Sequence, residues 1–170
     1  MAAIVYFAEK QRFNQWWLWL LLLGLNAVIL YGLFQQLALG QEFGSKPLSD
    51  SGLIILFVIM GSFTFFFYKL SLDTQITDEG IGIRFSPFQS RLKMFRWSEI
   101  SNVYTTEYSP LREYGGWGFR IGRKGVAYTI SGNKGIQLIL NNGKMVLIGT
   151  GKAKEVSDVL EKLKHSKGDI

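Results

Sequence analysis

Arg112, Gly115, Gly116, Trp117, Gly118 and Arg120 are the residues of this chain whose types and spacing come nearest to a ligand site. Glycines let the backbone approach a phosphate or a partner carboxylate closely, and a guanidinium at either end would pair with it. Arg123 and Lys124, between Gly122 and Gly125, add positive charge to the same stretch. The competing expectation is that the glycines permit unusual backbone angles while Trp117 plugs one end of a β domain. Arg120, if buried there, would need an acidic partner, and Glu107 and Glu113 are the nearest by charge.

Other chemistries find less support. Gly149-Thr-Gly-Lys152 superficially has the look of a phosphate-binding loop, but Val146 stands where the first glycine should be and Ala153 replaces the Ser or Thr. His165 is the single histidine and sits in a charged tail, which gives little basis for a histidine metal site or a catalytic base. The absence of cysteine removes disulfides, thiolate catalysis and cysteine metal sites together. Aromatic and basic residues interleave from Tyr104 to Tyr128, as in single-strand binders, yet an alternating sheet produces that mixture by itself. From Ser71 onward fifteen Lys and Arg face ten Asp and Glu, a modest +5. Such a bias suits anionic lipid headgroups better than nucleic acid, which is not expected as a partner. No cofactor and no enzymatic reaction is expected; an enzyme would need a polar cleft with perturbed titratable groups.

The elements that must position these residues belong to two kinds of polymer. No formal charge occurs between Arg12 and Glu42, and residues 16–39 are dominated by Leu, Ile, Val, Ala and Trp. About 20 such residues span a bilayer core, so residues 16–39 and 52–70 read as two transmembrane helices. The first run is too long for a cleaved leader, and a second follows at once. Residues 1–15 read as a juxtamembrane segment, and residues 40–51 as a short external loop carrying Glu42, Lys46 and Asp50. Lys10, Arg12 and Lys69 flank the pair and mark the cytoplasmic side, while Trp16, Trp17 and Trp19 match an interfacial aromatic belt. Asn26 is expected to hydrogen-bond across the pair, and Gly24, Ala27, Gly61, Ser62 and Thr64 to allow close approach. Both termini are then cytoplasmic.

From Leu72 the period becomes two. Ile81, Ile83 and Phe85 share a face after Asp78-Glu79-Gly80; strands are also expected at 91–97 and 102–108, with hairpins around Gly122–Gly125 and Asn142-Gly143, the latter with residues favoured by a type I′ turn. Val156, Val159, Leu160 and Leu163 fall at helical spacing. About seven antiparallel strands in a barrel or sandwich, capped by one C-terminal helix, therefore occupy residues 71–170.

That order, with Glu9-Lys-Gln-Arg-Phe13 leading into the Trp-rich helix, Tyr114-Gly-Gly-Trp-Gly-Phe-Arg120, Gly135-Ile-Gln-Leu138 and Leu147-Ile-Gly-Thr150, resembles the membrane-bound bacterial proteins with a pleckstrin-homology-like (PH-like) domain. The resemblance implies a fold and an inner-membrane location, and brings no reaction with it. Phosphoinositide-binding relatives gather basic residues in the first hairpin, where Asp78-Glu79-Gly80 stands here. Arg91, Lys93, Arg96, Arg120, Arg123, Lys124 and Lys134 are instead expected to make loose headgroup contact. The function expected is a non-enzymatic, membrane-anchored module whose partners are membrane lipids and a protein or a second copy. The alternative is an accessory subunit of a larger membrane complex.

Overall fold

A computed structural model describes residues 3–122 and 125–167, and side chains as far as residue 164. The chain divides into two compact units, Asn14–Lys69 and the combination of Met1–Phe13 with Leu70–Ile170.

The larger unit holds nine strands among its described residues. Four form one sheet in the order β1-β2-β3-β4: β1 (Val5–Arg12), β2 (Ser71–Thr77), β3 (Gly80–Ser86) and β4 (Lys93–Arg96), all antiparallel. Residues read from sequence as a juxtamembrane segment therefore contain a strand, with Arg12 opposite Ser71 and Lys10 opposite Asp73. The remaining five, β5 (Ile100–Glu107), β6 (Gly118–Gly122), β7 (Gly125–Thr129), β8 (Lys134–Leu140) and β9 (Met145–Gly149), form a second sheet in the order β5-β8-β9-β7-β6. One pair, β7 with β9, is parallel, a departure from the all-antiparallel expectation. The two sheets pack as a sandwich and do not close into a barrel.

Alternation explains the core. Leu72, Ile76, Ile81, Ile83 and Phe85 from the first sheet are buried with Ile136, Leu138 and Ile148 from the second. The C-terminal helix α4 (Ala153–Lys167) lays Val156, Leu160 and Leu163 against β5, β1 and β8. The expected Asn142-Gly143 hairpin forms with a three-residue loop: Gly143 N–H donates to Leu140 O at 2.8 Å, and Leu140 N–H to Lys144 O at 2.9 Å. Gly143, at φ 77°, takes the left-handed position such a loop requires, so this is not the two-residue type I′ turn.

The smaller unit is a helical hairpin. Helix α1 (Trp16–Leu33) continues through a π-helical turn, Phe34–Ala38, and α2 spans Asp50–Lys69. Both are long and apolar enough to cross a membrane. Ile29, Leu33 and Leu53 pack together with Leu56, Phe57 and Met60. Asn26 Nδ2 donates to Thr64 Oγ1 at 2.8 Å, the cross-helix bond its position suggests, and to Leu22 O at 2.7 Å. The glycines expected to permit close approach do not: a Cβ added at Gly24 or Gly61 would meet nothing within 4 Å, whereas one at Gly32 would strike the Phe43 ring.

Two further short helices are found among the described residues. A short 3-10 turn, Trp97–Glu99, links β4 to β5, and helix α3, Pro110–Tyr114, precedes β6.

Candidate interaction surface

The glycine-rich segment is built from α3 outward. Pro110 begins the helix with its fixed φ, and Glu113 Oε1 accepts the Ser109 N–H at 2.9 Å. Gly115, at φ 71° and ψ 21°, ends it in the left-handed conformation that a side chain would disfavour. Its N–H donates to Leu111 O at 3.1 Å, and the Gly116 N–H to Pro110 O at 2.9 Å. The Gly118 N–H donates to Thr129 Oγ1 at 3.2 Å. Three of the backbone donors that an anion cradle would use are thus engaged internally. This geometry is that of a helix-ending turn.

Trp117 is half-buried and donates its indole N–H to Gly132 O at 2.9 Å, so it pins the loop to the β7–β8 connection and does not plug the sandwich. Arg112 and Arg120 are exposed. Arg120 Nε donates to Trp117 O at 3.2 Å, and with no buried charge to neutralise it does not draw on the acids suggested by sequence. Glu107 instead lies 3.7 Å from Lys134 Nζ. Arg123 and Lys124 lie outside the described residues.

Beside this loop an aromatic cluster joins the two sheets. The Tyr128 ring on β7 lies 5.2 Å from Phe119 on β6 and 6.2 Å from Phe85 on β3, with Phe88 stacked 5.9 Å from Phe85. Lys93 Nζ sits over Phe95 at 5.1 Å and near Tyr128 at 6.0 Å. An open cavity of about 480 Å³ here is lined by Lys93, Phe95, Tyr128, Leu140, Lys144 and Val146. Its chemistry is two ammonium groups on an apolar wall.

Of the other basic residues, Arg91 and Arg96 are exposed, the first in the β3–β4 connection and the second at the end of β4. The expected basic face is therefore divided between the two sheets, with Lys134 on β8 ion-paired to Glu107.

Strand β1 supplies polar contacts that sequence reasoning missed. Glu9 accepts the Thr150 hydroxyl at 2.6 Å and the Gly151 N–H at 2.9 Å, and Gln11 Nε2 donates to Gly149 O at 2.6 Å. The stretch superficially like a phosphate loop is therefore occupied by the chain's own carboxylate. Asp73, buried, accepts from Arg84 Nη2 at 2.6 Å and lies 3.4 Å from Lys10 Nζ. Lys10 thus has a partner in the sheet, besides any role as a membrane anchor. The alternation of Phe7, Glu9 and Gln11 was the available signal.

Tyr108 is buried against Tyr114, Ala127 and Leu147. Burial pushes its phenol up to about 12; the Thr129 hydroxyl pulls weakly the other way, at a geometry short of a good hydrogen bond, and Tyr114 adds a little to the rise. An acid held neutral inside a core is placed for packing.

Among the residues expected from sequence to be membrane anchors, Arg12, Trp16 and Trp17 are exposed, Trp19 is half-buried, and Lys69 Nζ lies over Phe65 at 5.3 Å and Tyr68 at 5.9 Å. Among the described residues no cluster of His, Cys, Asp or Glu is placed to hold a metal ion, and the His165 side chain lies outside them. Compared with known proteins, the chain matches no family model, no curated protein and no solved structure.

Proposed function

We propose that the chain is a non-enzymatic, membrane-anchored module: α1 and α2 cross a bilayer as a hairpin and carry the sandwich on one surface, where it contacts lipid or a protein partner. The observation that carries this reading is the pairing of β1 with β2. Arg12 lies opposite Ser71 although the entire helical unit separates them in sequence. Paired strands share one compartment, so any membrane passage between them must return to its starting side. Two crossings satisfy that condition; one or three would not.

Lys10, Arg12 and Lys69 flank the hairpin, and the connector holding Glu42, Lys46 and Asp50 is net negative, which favours a cytoplasmic sandwich. The PH-like reading gains support from topology. With the β6–β7 hairpin set aside, seven antiparallel strands remain, four in one sheet and three in the other, followed by α4. On that reading the helical unit replaces the connection between the first two strands. Asp78-Glu79 then belongs to the second hairpin, and the loop that is basic in phosphoinositide binders has become the anchor.

The test uses the absence of native cysteine. Single cysteines at Ser45 and Ser98 are probed in intact bacterial cells with a membrane-impermeant maleimide. Ser45→Cys is expected to react from outside and Ser98→Cys only after lysis. Equal reaction at both positions, or release of the protein by alkaline carbonate, overturns the reading.

A further inference from the structure

The second sheet is stacked along the first in a definite direction. Trp97, just ahead of β5, donates its backbone N–H to Glu79 O at 3.1 Å and its indole N–H to Thr77 O at 3.0 Å. β5 therefore begins beside the β2–β3 turn, the end remote from the Arg12–Ser71 pair. Tyr128 on β7, by contrast, touches Phe85, which adjoins Ser86, the residue opposite Ser71. The order β5-β8-β9-β7-β6 thus advances toward the end where the chain leaves the sheet for Asn14–Lys69, and β6 is the outermost strand there.

At that edge the face of β6 that continues the Tyr128 side of the sheet is left uncovered. Phe119, opposite Tyr128, is 45% exposed, and Ile121, two residues along the same face, is 79% exposed. Phe88, in the β3–β4 connection at the same end, is 67% exposed. Arg91 and Lys93 are exposed nearby, and Arg120, between Phe119 and Ile121 on β6, is exposed on the other face of the strand at the same edge, with its Nε bonded to Trp117 O. Large apolar side chains rimmed by cations are the composition of a surface that enters a headgroup layer, with basic stems reaching anionic groups. A second copy fits less well. Antiparallel pairing of two β6 edges about their midpoint would set Arg120 opposite Arg120, and like charges directly opposite are destabilising.

We propose that the exposed β6 edge is a second membrane contact, in which Phe119 and Ile121 enter the headgroup region of an anionic leaflet while Arg120, Arg91 and Lys93 meet its phosphates. The contact rests on the membrane-anchored reading above. To test it, full-length single-cysteine variants Ile121→Cys, Tyr104→Cys and Ile55→Cys carry a polarity-sensitive dye in phosphatidylcholine vesicles with and without phosphatidylglycerol. The Ile121 dye is expected to be quenched by lipid-borne nitroxide when phosphatidylglycerol is present, and the Tyr104 dye, on β5 at the remote end, to stay accessible to aqueous quencher. Adding Arg120→Gln should lower the contact equilibrium about fivefold, the loss of one cation near an anionic surface. If the Ile121 dye remains in water while the Ile55 dye is lipid-quenched, the edge contact is overturned and the anchor stands. An Ile55 dye in water overturns both. An Ile121 dye shielded from both quenchers marks protein–protein burial and overturns the lipid contact.

Discussion

Ile81 and Ile83 are buried in the sandwich, whereas Ile55 and Ile59, the same side chain, are more than half exposed in the helical hairpin. The sandwich removes its apolar groups from water, at about 25 cal/mol per Å², and pairs buried charges such as Asp73 with Arg84. The hairpin hides few of its apolar groups and makes one cross-helix side-chain bond near its centre, Asn26 to Thr64. The comparison teaches that residue type does not fix where the hydrophobic effect acts. On the membrane-anchored reading proposed above, the hairpin's stabilisation lies in transfer to lipid, and helix association is left to packing and to hydrogen bonds such as this one and that of Gln36 Nε2 to Asp50 Oδ1 at 2.7 Å.

The largest expected effect tests this contrast directly. Ile83→Ala should cost about 3 kcal/mol of sandwich stability, read by chemical denaturation followed by tryptophan fluorescence, because the cavity is enclosed on both sides. Ile55→Ala should cost under about 0.5 kcal/mol in bilayers, where lipid refills the space. Equal losses would erase the distinction between the two regions.

A middle-sized effect concerns the strand that joins them in sequence. Glu9→Ala removes the acceptor of the Thr150 hydroxyl and the Gly151 N–H, and should cost about 2 kcal/mol by the same denaturation assay. Hydrogen exchange should then speed up at Gly151 and along β1. A neutral result would mean that β1 is held by its backbone ladder alone.

Asn26→Leu should weaken helix pairing by only about 0.6 kcal/mol, measured by disulfide trapping of cysteines placed on α1 and α2. Smallest at neutral pH is Tyr108→Phe, expected within about 0.5 kcal/mol of wild type because the phenol has no well-formed bond to lose. Its signature is alkaline. The unfolded chain releases this proton near 10.0 and the folded one near about 12, so stability is fully present below the first value and falls as pH rises through the second. The variant should lack that decline, and an unchanged alkaline profile would show that Tyr108 does not contribute it.

Legibility followed the strength of local pattern. Both helices, the hairpins of β2 with β3, β6 with β7 and β8 with β9, and the buried stripe of α4 could be read because each depends on neighbours close in sequence. The pairing of β1 could not, since its partner β2 lies beyond the whole helical unit and the alternation within β1 does not reveal a pairing of such separation. The parallel contact of β7 with β9 escaped for the same reason. In the glycine segment, residue types suggested an anion cradle, but whether an N–H points outward or to a neighbouring carbonyl depends on backbone angles. Gly115 and Gly116 direct theirs to α3.

The sequence by itself determined two apolar helical runs, an alternating β domain and a modest basic charge, because hydrophobic periodicity and charge are properties of adjacent residues. Only the tertiary structure decided that the first strand pairs with β2 although the helical unit lies between them in sequence, that Glu9 occupies the turn before α4, and that the edge strand β6 leaves Phe119 and Ile121 exposed. Each of these depends on which distant segments meet, a choice made by the packing of the whole domain.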